Sequence, residues 1–354
     1  MRPLACVILA AGQGTRMKSE LPKPLHELCG RPMIDHVLAT VEQLGAERTV
    51  VVVGAGAERL VGALGEGAIA CEQPEQLGTG HAAICARPGL EGFAGDVLVT
   101  YADIPLVTAE TLRRLAEHHR AEGAAATVLT TELPDPSGYG RIVRDDAGAV
   151  AAIVEHRDAS DEQRAIAEIN TGIYLFDCEA LLSALDRISP DNDQGEYYLT
   201  DAIAILVDDG RAVRALITDD PDEVMGINTR VQLAQAERIA RERIREQIML
   251  AGATLIDPPS TFIDAGVTVG PDTVIGPGCQ LLDATTIGAG CEIRSGVVLR
   301  SATIGDDVLL RDHTVIDEGA VLDGSEVGPF ALVRGGSVVG RDCKLGSSAE
   351  EIIP

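Results

Sequence analysis

Tryptophan is missing from this 354-residue chain, and aromatic residues make up only 3% of it. The cores must therefore be built from Ala, Val, Leu and Ile. Basic residues are scarce as well, 29 Lys and Arg against 55 Asp and Glu, for a formal net charge of -26. A surface of that sign repels duplex nucleic acid and anionic lipid, so neither partner is expected. A phosphate-bearing substrate would need a local basic pocket or a divalent cation. The eight cysteines form no CxxC and no Cys/His set at zinc spacing, and they read as reduced small hydrophobes of a cytosolic protein. No segment approaches the ~18 consecutive apolar residues that span a bilayer. The apolar start, Leu4–Ala11, runs straight into Gly12-Gln13-Gly14-Thr15-Arg16, which reads as strand then turn rather than as a signal peptide. A cytoplasmic location is the expectation.

What is present is ample apolar material, 45% of residues, which excludes wholesale disorder. The length suggests two domains at ~100–200 residues each. Upstream of residue 228, aliphatic strand candidates alternate with helical stretches: Ala5–Ala10 then Met33–Leu44, Thr49–Val53 then Ala57–Leu64, Asp96–Thr100 then Ala109–Glu122, and Ala125–Thr131. Such alternation implies βαβ units and a mostly parallel, doubly wound sheet over residues 1–228. Residues 229–251 read as a connecting helix, with Val231, Ala234, Ile239, Ile244 and Ile248 near one face.

From 252 to 354 an internal repeat takes over. Val269, Ile275, Leu281, Ile287, Ile293 and Leu299 fall every six residues; after a slip the series resumes at Ile304, Leu310, Ile316 and Leu322, and after another at Val327, Val333, Val339 and Leu345. Neither helix nor alternating strand has that period. Three short faces per turn, each turning one aliphatic residue inward, do, and the expected domain is a short left-handed parallel β-helix of hexapeptide repeats. Flat-faced coils of this kind stack, so a homotrimer is expected.

Chemistry begins in the first strand–turn. Gly12 and Gly14 let the backbone approach a bound group, and successive amides in such a turn beside a helix start form an anion-binding concavity. The Walker A spacing and the third glycine of the dinucleotide fingerprint are absent. Arg16 and Lys23 follow at once, two cations in an acidic protein: a forked guanidinium and a point charge, both suited to phosphate. Asp103 closes the strand Asp96–Thr100 at its carboxyl end, where open α/β sheets bind ligands, and is a candidate metal ligand.

The run from Leu9 through Pro32-Met33, LAAGQGTRMKSELPKPLHELCGRPM, resembles the amino-terminal signature of the bacterial bifunctional N-acetylglucosamine-1-phosphate uridyltransferase/glucosamine-1-phosphate acetyltransferase family. Further pieces match in order: Gln73–Ala82 (QPEQLGTGHA), Tyr101–Leu106 (YADIPL), Gly138–Ile142 (GYGRI), Ile153–His156, Glu168–Gly172 (EINTG), Gln194–Asp201 (QGEYYLTD) and Gly226–Asn228. The resemblance implies a Rossmann-like α/β nucleotidyltransferase domain that moves a uridylyl group from UTP to N-acetylglucosamine 1-phosphate. Magnesium would be held by Asp103 and, on the resemblance, Asn228.

A sugar phosphate is already an anionic nucleophile, so no general base is required; alignment and charge cancellation are. Uracil presents an acceptor–donor–acceptor edge that Gln73, Gly78 and Thr79 would read above a floor of Leu9, Ala10, Ala11 and Gly12. Tyr101 and Ala102 sit beside Asp103, with Ala102 where the family usually has glycine. Gly140, Glu155, Asn170 and Thr171 match positions that hydrogen-bond the sugar, while Tyr197 falls in a matching motif as packing or as contact. The remaining histidines get plain readings: His118 and His119 as solvated helix residues, His81 as packing or capping. The family's second activity calls for a histidine base that the C-terminal repeat does not carry, His313 being its only histidine, so acetyl transfer is expected to be absent. A nucleotidyltransferase of other base or sugar preference, and a non-catalytic trimeric regulator, are the alternatives.

Overall fold

The computed structural model describes residues 2–192 and 194–351. It divides into two compact units, Met1–His26 with Pro32–Leu233, and Glu27–Arg31 with Ala234–Pro354.

The first unit is built on a nine-stranded sheet. Across it lie Val213–Ile217, Ala126–Glu132, Glu168–Asp177, Asp96–Tyr101, Leu4–Leu9, Arg48–Gly54 and Ala68–Gln73, with Arg141–Arg144 attached to Glu168–Asp177 and Val150–Val154 paired in turn with Arg141–Arg144. Leu4–Leu9 pairs in parallel with both neighbours, Leu9 lying opposite Tyr101 on one side and Val52 on the other. The strand is apolar throughout because both faces are covered. Ala5, Val7 and Leu9 enter one core cluster, and Leu4, Cys6 and Ile8 the other. Glu168–Asp177 runs antiparallel between two parallel blocks, a reversal that the simple strand–helix alternation did not announce. The chain visits one side of Leu4–Leu9 first, then crosses to the other at Asp96–Tyr101, so the carboxyl ends of those two strands form a switch point.

At the opposite end of the sheet, Asp96 is wholly buried, taking Arg120 Nε at 2.7 Å and Arg2 Nε at 3.1 Å. His119 belongs to this cluster and is not solvated: it is 1% exposed and its Nδ1 lies 2.9 Å from Thr127 Oγ1. The helical period places it on the inner face of Ala109–Ala121 with Leu112 and Leu115, and that overrides its polarity.

The second unit is a parallel β-helix. Its short strands stack into three all-parallel sheets of six, six and five strands. Leu281 pairs with Leu299 one turn on, Leu299 with Ile316, and Ile316 with Val333, so each inward position forms a continuous aliphatic column. The second slip falls earlier than the sequence period suggested. Val321, not Leu322, is the inward residue after Ile316, and it is paired with Ile304 and Val339. Two adjacent aliphatic residues made the period ambiguous there, and pairing decided it. Buried hydroxyls tie coil to coil, as where Thr273 Oγ1 donates to Gly288 O at 2.7 Å and Thr314 Oγ1 to Gly328 O at 2.9 Å. Gly270 shows why small residues flank the columns: a Cβ there would lie 2.6 Å from the backbone nitrogen of Ala289.

The helix Arg230–Leu250 falls within the expected 229–251 but has another buried stripe. Val231 and Ala234 are exposed, whereas Ala236, Ile239, Ala240 and Ile248 are covered. Arg245 is buried too and donates to Pro258 O at 2.8 Å, so from Ala234 onward the helix packs as part of the second unit.

Candidate active site

The turn after Leu4–Leu9 begins the site. Gly14 sits at φ 61, a left-handed conformation, and a Cβ on it would meet Lys23 Cβ at 2.7 Å. Gly12 has open space where a side chain would point, leaving its backbone accessible. The expected helix start is in fact a single 3₁₀ turn, Thr15–Met17, so loop amides and side chains supply the positive field, without a helix dipole.

Four charged or polar side chains from distant segments meet beside this loop. The Lys23 ammonium binds Asp103 Oδ2 and also donates to Asn228 Oδ1 at 2.8 Å, and Arg16 donates to that same Asn228 oxygen at 2.8 Å. Two backbone links hold the assembly: Ile227 N donates to Asp103 O at 2.9 Å, and Asn228 N to Gln232 Oε1 at 2.9 Å. Asn228 therefore sits just ahead of the helix Arg230–Leu250 with its side chain turned to the cations.

A cavity of about 350 Å³ opens next to them, lined by Leu9–Gly12, Lys23, Gln73, Gly78, Thr79 and Tyr101–Asp103, together with Pro24, Gln76, Ala82 and Glu196. Each residue expected at the nucleotide is on this wall except Asn228, which stands beside it on Lys23, and Arg16, which is bonded to Asn228. Sequence reasoning missed Gln76, whose amide donates to Ala11 O at 2.7 Å and pins the glycine loop. Its place three residues after Gln73 in the matching motif was the available signal. Gly78 has φ 106 and packs against the backbone of Tyr197; Gly80 N donates to Tyr197 O at 2.8 Å, and Tyr197 N to Leu77 O at 2.7 Å. Tyr197 thus serves as a backbone clamp on the loop Leu77–Gly80.

The residues matched to the sugar gather outside that cavity. A Cβ at Gly140 would lie 3.4 Å from Asn170 Cβ and 3.6 Å from Glu155 Oε1. Burial raises the Glu155 pKa, opposed by a hydrogen bond from the Thr200 hydroxyl. Tyr101 is likewise held neutral, chiefly by burial and then by the carboxylates Glu155 and Asp103. Its ring packs on Gly172, which a bulge places at φ 85. Two expected sugar contacts are committed elsewhere in this structure. The Thr171 hydroxyl donates to Leu129 O at 2.7 Å and accepts from Ile173 N, and the Asn170 amide bonds Tyr174 and Gly172 N. The bulge consumes both side chains, which residue identity alone did not reveal.

Among the described residues no group of three or more His, Cys, Asp and Glu is arranged for a metal. Asp103 and Asn228 nevertheless offer two hard oxygens that already share one cationic atom, Lys23 Nζ. Such a pair suits a divalent ion that takes its other ligands from phosphates and water.

An α/β sheet with a cationic, oxygen-lined cavity at its switch point is the frame of a nucleotidyltransferase. The MobA-like NTP transferase domain family matches residues 6–202, and the GMPPB C-terminal domain family matches 258–350. The chain is 49% identical over 344 residues to bifunctional protein GlmU of Shouchella clausii and 50% identical over 348 residues to that of Trichlorobacter lovleyi. It spans 97% and 98% of itself in those matches and 76% of each relative. A crystal structure of UDP-glucose pyrophosphorylase complexed with UDP-glucose superposes with a TM-score of 0.56 at 18% identity, covering 68% of this chain and 99% of that one, a likeness of fold alone. This protein is a nucleotidyltransferase. It belongs to the family of the bifunctional GlmU proteins.

Proposed function

We propose that this chain transfers the uridylyl group of UTP to N-acetylglucosamine 1-phosphate, releasing pyrophosphate and giving UDP-N-acetylglucosamine for cell-wall precursor synthesis. The observation that carries the reading is the meeting of Arg16, Lys23, Asp103 and Asn228 beside a cavity with Gln73 on its wall. A sugar phosphate oxygen attacks the α-phosphorus and pyrophosphate leaves, so the site has charge to neutralise and no proton to abstract. Lys23 and Arg16 hold the phosphates. The glycine loop offers its amides, and Gln76 keeps that loop in shape. Gln73, Gly78 and Thr79 orient the base; Tyr101 and Ala102 form the wall toward Gly140 and Glu155, which face the sugar. Asp103 and Asn228 hold Mg²⁺, which when bound supplies charge neutralisation on the phosphates.

The test is a pyrophosphate-release assay across nucleoside triphosphates and sugar 1-phosphates, with and without Mg²⁺. Turnover with UTP and N-acetylglucosamine 1-phosphate that needs Mg²⁺ is the expected result; preference for another base or sugar gives the assignment to the alternative specificity. That the chain does not transfer acetyl groups is a separate proposal. It rests on His313, the lone histidine of the repeat, whose ring stacks on Phe330 at 5.2 Å. Free thiol released from acetyl-coenzyme A in the presence of glucosamine 1-phosphate would refute it.

A further inference from the structure

Gln73 ends the strand Ala68–Gln73 on the cavity wall and is 3% exposed. Its amide nitrogen lies 3.1 Å from Gly78 O and 3.2 Å from His81 Nδ1. A backbone carbonyl only accepts, so the end of the carboxamide facing Gly78 must be the NH₂. The second N–H of that group is aimed at His81 Nδ1, which accepts it when the ring proton sits on Nε2. There the Cys85 sulfur, 3.8 Å away, takes the Nε2 proton as a weak acceptor. The ring is located by its place on the helix Thr79–Cys85 and by Tyr197, whose centroid is 6.1 Å from its own. One competitor is present: Glu75 O, 2.9 Å from Nδ1, favours a proton on that nitrogen. With the proton there, the Gln73 N–H loses its acceptor, so the tautomer of His81 and the pose of Gln73 are one coupled arrangement. With the proton on Nε2 both N–H groups of Gln73 are spent on the protein; with either tautomer the bond to Gly78 O keeps the NH₂ on that side, and Oε1 is the end of Gln73 left for a ligand.

Resting on the uridylyl reading above, we propose that His81 is a positioning residue which, with the Gly78 carbonyl, holds Gln73 Oε1 as a fixed acceptor and so selects uracil over cytosine. Uracil carries a hydrogen on N3 and meets that acceptor with a donor. Cytosine carries a lone pair on N3, and two buried acceptors facing each other cost the binding that a matched pair gains. A Gln73 free to turn would present either end and discriminate less.

The experiment measures pyrophosphate release by the full chain with UTP and with CTP, at fixed N-acetylglucosamine 1-phosphate and Mg²⁺. His81→Ala is expected to lower the UTP-over-CTP ratio of kcat/KM about tenfold, the equivalent of 1.4 kcal/mol, with the change carried mainly by KM. His81→Asn places an oxygen where Nδ1 stood and is expected to restore most of the preference. A His81→Ala protein whose circular dichroism matches the wild type and whose ratio is unchanged overturns the proposal, as does an equal loss with both nucleotides. Should His81→Ala not fold, His81→Gln, which leaves the Nδ1 place empty, carries the same comparison. Wild-type protein that releases no pyrophosphate from UTP overturns the uridylyl reading and this proposal together. Wild-type preference for UTP that survives in the variants overturns this proposal alone.

Discussion

The Lys23 ammonium draws its two oxygen partners from positions 80 and 205 residues further along the chain. Residue types alone pointed to Lys23 and Arg16, because cations right after a glycine turn are unusual in a protein this acidic; Asp103 lies where open α/β sheets bind ligands, but taken singly it read equally well as a turn or cap aspartate before Pro105. Asn228 was legible only through the family motif, since asparagine before a helix also reads as a cap. The commitments of Thr171 and Asn170 to the bulge were not legible at all: they depend on a local backbone reversal that no residue type announces. Lys23→Ala removes a charge that the phosphates need and leaves Asp103 without its cation. Its kcat for pyrophosphate release is expected to fall by about 10² or more, the scale of losing one preorganised charge-stabilising contact. Asp103→Ala should abolish turnover while the circular dichroism spectrum stays native, and near-normal activity at saturating Mg²⁺ would show that the carboxylate is not a ligand.

Strands and helices with strong periodicity were legible to within a residue or two, as Ala109–Ala121 and Arg230–Leu250 show. Glu168–Asp177 was not, since nothing within a strand states whether it will run parallel or antiparallel. His119 was misjudged for a related reason: its burial is decided by what packs on the helix. Burial pushes its pKa below the usual value of about 6.5, with Arg2 and Arg120 pushing the same way and Asp96 and Asp177 opposing. The folded state therefore holds His119 neutral while the unfolded chain takes up a proton as pH drops past about 6.5. Stability is full above that pH and declines below it. His26 adds to the slope in the same direction, lowered mainly by burial and then by Arg230. In His119→Asn, which keeps a polar partner for Thr127, the loss of urea midpoint between pH 7.5 and pH 5.5 is expected to shrink but not vanish. An unaltered pH slope would show that His119 titrates alike in both states.

In the molecule as a whole the two units bury their apolar surface differently, and the second leaves some uncovered. The sheet unit closes both faces of its central strands, such as Leu4–Leu9 and Asp96–Tyr101. The β-helix turns one residue of each pair inward and necessarily turns the other out. On the sheet that contains Ile263, Leu281, Leu299, Ile316 and Val333, the outward column reads Phe262, Gln280, Val298, Val315 and Leu332. The corresponding columns of the other sheets are more mixed: Thr254, Val274, Glu292, Leu309, Glu326 and Lys344 on one, and Thr268, Thr286, Thr303, Ala320 and Val338 on the other. Val298, Val315 and Leu332, half-buried on three successive coils, make a short aliphatic stripe of the kind that a second copy covers. We propose that three copies, each giving this face to the next, close into a ring over that stripe. The proposed homotrimer therefore predicts a solution mass of three times 37.1 kDa by light scattering. Val315→Arg, which puts a charge in the middle of the stripe without touching the inward column, should bring the mass to that of one chain at micromolar concentration and leave the far-ultraviolet spectrum intact. A wild-type mass of one or two chains would refute the trimer, and a trimer indifferent to Val315→Arg would move its interface to another face.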